Sequence, residues 1–248
     1  MKKNPILPMP TLMTGFVRRF PIQQLCKAQT AQRVHARPTC IHQLNSYSTT
    51  TPPTSQPVKQ NSPFELLSLK IGKITAIQHH ENADSMYVEQ IDTGKFTADN
   101  MSEPIQVCSG LKNYIPINVL QDSLVVVADN LKPSKLRGIK SYGMLLCGSD
   151  KNNDIVQTCK PDIRSNKSID TNLLIGQQVK IVDEKTLSPK KIKSKDLENI
   201  LSRLYVGDNN HVVLNVDGTE HALYITPKES DVKIPIVVDD LPRGTKVY

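Results

Sequence analysis

From residue 69 to residue 147 the chain alternates short apolar runs with polar stretches, at a spacing that predicts strands rather than helices. Residues 69–78 carry Ile71, Ile74 and Ile77 among polar neighbours and turn Lys70 and Lys73 elsewhere, with Gly72 marking a bend or bulge. Residues 79–84 are a polar loop. Residues 86–91 form a second run, ended by Asp92-Thr93-Gly94, a hairpin signal. Residues 103–108 are a third, closed by Ser109-Gly110-Leu111; Leu124–Ala128 is a fourth and residues 142–147 a fifth. Five short strands with one long irregular connection fit an all-β fold, the five-stranded Greek-key barrel of the OB type. Such barrels bind oligonucleotides on the face of their second and third strands, with help from their loops.

After Ser149 the pattern loosens. Residues 179–182 are strand-like. Residues 190–205 set Ile192, Leu197, Ile200, Leu201 and Leu204 roughly on one face, which predicts a helix that Ser194 or Asp196 could cap. Val212–Val216 and residues 222–225 flank Asp217-Gly218, a strong hairpin signal. Residues 151–248 therefore read as a C-terminal α+β lobe packed on a barrel of residues 64–150.

Charge changes this picture only once it is divided. The net charge is +7, but residues 1–64 hold eight cations and no acid, whereas the other 184 residues hold 23 cations and 24 acids. The folded part is not basic overall, so a nucleic-acid footprint there must be a local patch. The acid-free start is rich in Ser, Thr, Gln and Arg, and residues 16–25 can form a short amphipathic basic helix. That composition describes a mitochondrial presequence over residues 1–46, followed by a disordered Pro-rich linker at 47–63. A cationic amphipathic segment is drawn across a potential negative inside, and acids would oppose that. Mitochondrial (matrix) residence is expected; the alternative is a disordered basic tail on a cytoplasmic protein.

The local patch is residues 130–144, NLKPSKLRGIKSYGM. Lys132, Lys135, Arg137 and Lys140 fall within nine residues, in a predicted loop between two core strands, which can grip a polyanion at a fixed place. A solvated charged loop is the bland alternative. Cys26, Cys40, Cys108, Cys147 and Cys159 lack the close spacing of a zinc or redox pair, and the histidines form no metal-type pattern. No nucleotide-binding loop, nucleophile elbow or zinc-protease helix motif occurs. His79 and His80 fall in the predicted exposed loop and read as structural or idle. No enzymatic activity, metal or cofactor is expected. No apolar run approaches the roughly 18 residues that a spanning helix needs, so no membrane association is expected either.

The run HENADSMYVEQIDTG at 80–94 resembles the signature of the tRNA-binding domain. That family includes endothelial monocyte-activating polypeptide II, synthetase-complex cofactors, C-terminal extensions of some methionyl- and tyrosyl-tRNA synthetases, and stand-alone bacterial tRNA-binding proteins. VCSGL at 107–111, NLKPSKLRG at 130–138 and SYGM at 141–144 are similar to the same family in the same order. LSPKK at 187–191 resembles a stretch in the longer, polypeptide II-type members. Their second lobe mimics the dimer partner of the short bacterial proteins, which implies a monomer here. One departure is Glu81, where the family usually has proline after the histidine; an acid there would weaken RNA binding.

The resemblance implies tRNA as ligand, with an aminoacyl-tRNA synthetase as a further partner. Lys132, Lys135, Arg137 and Lys140 are the expected phosphate contacts, with Lys73 and Lys112 as second-tier candidates. Ser141 and Met144 match family positions that face the RNA, the first toward a ribose or phosphate and the second against a base. Asn82 and Ser85 could add hydrogen bonds from their loop. Aromatic residues make up only 4% of the chain, so recognition should rest on RNA shape and backbone more than on base sequence. Two alternatives use the same barrel: a peptide-binding chaperone and a synthetase-assembly scaffold.

Overall fold

The computed structural model describes residues 63–164, 169–181, 190–228 and 231–248. The presequence expected over 1–46 lies outside the described residues, as do the linker up to its last residue and the Leu-Ser-Pro of the 187–191 run. The barrel is built from β1 (Leu69–His79), β2 (Tyr87–Asp92), β3 (Ile105–Ser109), the short helix α1 (Ile117–Leu120), β4 (Leu124–Ala128), β5 (Ser134–Leu136), β6 (Ile139–Ser141) and β7 (Met144–Leu145). Its sheet runs β3-β2-β1-β4-β7, all neighbours antiparallel. Closure comes from β3 against β6–β7, where Tyr142 N–H donates to Gln106 O at 2.8 Å.

β1 is long enough to serve both sides of the barrel. Residues 69–73 pair with β4 and residues 73–79 with β2. The bulge that turns the strand lies between Ile74 and Ala76, not at Gly72 as the sequence implied. Gly72 pairs regularly with Val125, and it is glycine for another reason: a Cβ there would lie 2.5 Å from Ile91 Cγ2. The fifth strand also departs from expectation, since Leu146 interrupts it. The chain leaves the barrel through β8 (Cys147–Asp150) and returns in β9 (Ile155–Thr158) and β10 (Lys160–Pro161).

The lobe then adds α2 (Ser194–Leu201), β11 (Leu204–Val206), β12 (Val212–Val216), β13 (Thr219–Ala222), β14 (Tyr224–Ile225), β15 (Ile234–Val237) and β16 (Lys246–Val247). The expected hairpin is present, with Asp217 and Gly218 in the turn, both at positive φ. The helix is shorter than its apolar pattern predicted, because Leu204 is taken into β11 opposite Leu214. Lys193 is its N-cap, with no side-chain cap bond; Ser194 and Asp196 sit inside the first turn instead. β16 lies between β11 and β8 in a six-stranded sheet, so the end of the chain stitches lobe to barrel.

Two apolar clusters result. Ile74, Tyr87, Ile91, Val107, Val125, Val127 and Leu145 fill the barrel. Leu69, Ile71, Val126 and Ala128, on the other face of β1 and β4, join Leu174, Ile200, Leu204, Val212 and Ile225 of the lobe in a second cluster. This is the strand period of two at work: alternate residues of β4 serve different cores. Barrel and lobe thus share the second cluster, while the first belongs to the barrel. Among the described residues, no helix is long and apolar enough to cross a membrane.

Candidate nucleic-acid interface

The basic segment is not a loop. β5 and β6 form a hairpin in which Ser134, Lys135 and Leu136 pair with Ser141, Lys140 and Ile139. Arg137 and Gly138 are the two turn residues, at φ 46° and 102°. Positive φ at both positions is what a tight two-residue hairpin needs, and Asn-Gly or Gly-Gly would be the usual choice. An arginine held there is strained, which points to a use for its charge at the tip. Lys132, Lys135, Arg137 and Lys140 are all exposed. Among the described residues no carboxylate forms an ion pair with any of them.

The hairpin is pinned on three sides. Gln106 Nε2 donates to Lys140 O at 2.7 Å, which fixes β6 to β3. His80 is in the expected loop, but it is itself buried, 4% exposed. Its Nδ1 accepts from Asn82 N–H at 3.0 Å, so the neutral ring carries its proton on Nε2 and donates to Leu136 O at 3.1 Å. One imidazole therefore ties the 80–86 loop to the basic hairpin. These are the two connections, between the first and second and between the fourth and fifth barrel strands, that OB barrels use around their ligands. At the base, Asn130 accepts from Ser68 N–H at 3.0 Å and donates to Leu66 O and Lys190 O, both at 2.9 Å.

That last bond brings in residues that sequence reasoning missed. Ile192 N–H donates to Asn130 O at 3.1 Å, and Lys191 Nζ donates to Leu131 O at 2.9 Å. Lys190 and Lys191 are exposed beside the root of the hairpin, and Lys193 and Lys195 are exposed where the chain enters α2. The signal was present as the KK of the 187–191 run, but no pattern in the sequence said which face it would join.

The other expected residues divide. Asn82, Ser85 and Arg137 line one surface hollow, together with Asp84 and Asn113. Lys112 is half-buried in the turn that carries Asn113. Lys73 belongs elsewhere: it lies in the middle of β1 and lines a separate pocket with Lys160 and Arg164. Ser141 is only 2% exposed. Its hydroxyl accepts from Cys108 N–H at 3.1 Å and donates to Gly143 O at 3.0 Å, so it closes the barrel rather than reaching a ribose. Met144 is half-buried on the rim of a cleft.

A buried acid lies beneath this surface. Glu89 shares the inward face of β2 with Tyr87 and Ile91, and it accepts a short hydrogen bond from Ser109 Oγ. Its Oε2 has no partner. Burial pushes the carboxyl up to about 7, against the lowering effect of the Ser109 bond. Burial, reinforced by the Glu89 charge, pushes the Cys147 thiol up to about 12, so it is inert as a nucleophile at neutral pH. Among the described residues no three His, Cys, Asp or Glu side chains are grouped to hold a metal.

Residues 69–167 match the family model described as "Putative tRNA binding domain". Over 83 residues the chain is 47% identical to the cytoplasmic tyrosine–tRNA ligase of Gallus gallus, covering 34% of this chain and 15% of the ligase. Over 98 residues it is 39% identical to aminoacyl tRNA synthase complex-interacting multifunctional protein 1 of Cricetulus griseus, covering 39% of this chain and 26% of that protein. The matches thus span only about a quarter of one of these relatives and less of the other. Among solved structures, the C-terminal domain of Plasmodium vivax p43 superposes with a TM-score of 0.55 at 21% identity, over 75% of this chain and 98% of that one. That coverage takes in the lobe as well as the barrel, and it establishes the fold.

Proposed function

We propose, on the premise that residues 69–167 are a domain of the tRNA-binding family, that this chain is a non-catalytic tRNA-binding protein. In this reading it delivers tRNA to an aminoacyl-tRNA synthetase in the mitochondrial matrix. The observation that carries tRNA binding is the hairpin of Lys135, Arg137 and Lys140, fixed to the 80–86 loop by His80 and unpaired with acid among the described residues. Such an array suits phosphates. It supplies sequence-independent affinity that salt erodes, and the fixed geometry selects a folded RNA over a flexible strand. Lys190 and Lys191, tied to Asn130 and Leu131, extend the same surface from the lobe.

The synthetase role rests on relatives that are themselves a tRNA ligase and a synthetase-complex protein. A modest RNA binder attached to an enzyme raises the local tRNA concentration without a new catalytic group. The lobe covers β1 and β4 as a built-in partner, so the protein acts as a monomer. The mitochondrial address rests on the acid-free first 64 residues.

The deciding experiment is a tRNA gel shift with the double variant Lys135→Glu, Arg137→Glu. Retention of tRNA by the wild type and its loss in the variant are expected; equal binding by both would overturn the reading. Fractionation of cells carrying a C-terminally tagged chain tests the address, and recovery outside mitochondria would remove it.

A further inference from the structure

The turn that carries Lys112 and Asn113 serves two surfaces. Asn113 borders the hollow with Arg137, whereas Gly110, Leu111 and Tyr114 line a cleft of about 440 Å³ on the other side. Met144, Lys151, Asp154 and Tyr248 are also in its wall. The size is that of a small-molecule site, on the order of 300–1,000 Å³. Tyr114 and Tyr248 are 41% and 43% exposed. Their rings are not in contact with each other, and a Cβ at Gly110 would meet nothing within 4 Å, so the mouth is open.

The charges at this cleft differ from those of the hairpin, since two acids, Asp150 and Asp154, outnumber the one cation, Lys151. Asp154 stands at the rim, and Asp150 beside it holds Asn152 N–H at 3.0 Å and Asn153 Nδ2 at 2.6 Å. Carboxylates repel a phosphate. They accept hydrogen bonds from the exocyclic amino group of adenine or cytosine. A flat occupant with an amino edge and π faces, arriving on a strand whose phosphates lie on the neighbouring basic hairpin, fits this wall.

We infer that the cleft holds one unstacked nucleobase of the bound RNA, an adenine or a cytosine, against Tyr114 and Tyr248. This rests on the tRNA-binding reading and adds a base-accepting site to it. Stacking on an aromatic side chain tolerates sequence while it rewards an unpaired nucleotide over a paired one. The site therefore distinguishes tRNA, with its single-stranded end and loops, from plain duplex.

The test uses the full chain, the variants Tyr114→Ala and Tyr248→Ala, and Gly110→Gln, which fills the cleft while removing nothing. Each should weaken tRNA binding about tenfold, leave the salt slope unchanged, and leave affinity for a blunt RNA duplex unchanged. Equal losses on tRNA and duplex, or no loss, would overturn the inference. Trimming the single-stranded 3′ nucleotides of the tRNA separates a terminal base from a loop base: the variants lose their effect in the first case and keep it in the second. Adenosine alone, titrated into the isotope-labelled wild type, should shift resonances of Gly110, Tyr114 and Tyr248. Shifts without any tRNA retention would sink the tRNA reading and leave the cleft standing; tRNA retention without shifts would do the reverse.

Discussion

Lys135 and Lys140 face each other in register across the β5–β6 hairpin, both exposed to solvent. Like charges directly opposite on paired strands oppose folding by roughly 0.2–1 kcal/mol. A polyanion laid over them turns that repulsion into attraction. Lys140→Thr should therefore leave thermal stability unchanged or slightly higher. It should also lower tRNA affinity and reduce the slope of log affinity against log salt by about one unit. Titrations at several salt concentrations, alongside a thermal melt, check both signs together.

Arg137 separates charge from strain at a single position. At φ 46° it occupies the left-handed region, where asparagine is better suited. Arg137→Asn is expected to stabilise the hairpin and to weaken tRNA binding severalfold. A variant in which stability and binding fall together would mean that the arginine is there for the turn and not for the ligand.

His80 carries no net charge in the tautomer its partners require, so its contribution to binding is geometric. His80→Phe keeps the ring volume but leaves Leu136 O and Asn82 N–H, both in partly buried bonds, without their partner, toward the low end of the about 1–3 kcal/mol that a buried unsatisfied group costs. The hairpin then loses its tie to the 80–86 loop. Affinity for tRNA should fall about tenfold while the salt slope stays that of the wild type, since every cation remains. A change in slope would mean that the loop and hairpin do not act as one surface. Glu81→Gln, in the same exposed loop, should tighten binding modestly at low salt by removing a negative charge.

The barrel was legible because its strands obey period two and because turn residues bound each run. Leu124–Ala128 and Val212–Val216 were placed to the residue. What was not legible depended on contacts between distant segments. Gly72 was read as a bulge when its role is to admit Ile91. Leu204 was counted into a helix when Leu214, ten positions later, draws it into a sheet. Of the expected site, the hairpin cations, Asn82 and Ser85 are gathered on one side; Lys73 lines a separate pocket, and Ser141 is consumed by the backbone of Cys108. His80 was set aside because a loop histidine is usually idle, and nothing local indicates that Leu136 would come within 3.1 Å of it. Tyr87, Glu89 and Ile91 did carry a signal, since the alternation itself turns the acid inward.

That inward acid sets the pH response of the fold. The Glu89 carboxyl is held near 7 in the folded chain by burial, against 4.5 when exposed. Below 4.5 the group is protonated in both states and costs nothing. As pH rises from 4.5 toward 7, the unfolded chain releases the proton and the folded chain keeps it, so folding becomes less favourable. Above 7 the full penalty of an ionised buried carboxylate applies, on the order of 3 kcal/mol from the size of the shift. Asp129 acts in a different window. Burial raises its carboxyl, but hydrogen bonds from Ser68 and Lys70 and the charges of Lys70 and Lys95 outweigh that and hold it below 3.8, so its contribution is lost only as pH falls through that lower value. Between pH 5 and 8 the wild type should therefore lose several degrees of Tm, and Glu89→Gln should flatten that decline. The variant should melt higher than the wild type at pH 8 and converge with it near pH 5. Thermal melts at these two pH values decide the matter: a wild type whose Tm rises from pH 5 to pH 8 would mean that Glu89 is ionised, and compensated, inside the barrel.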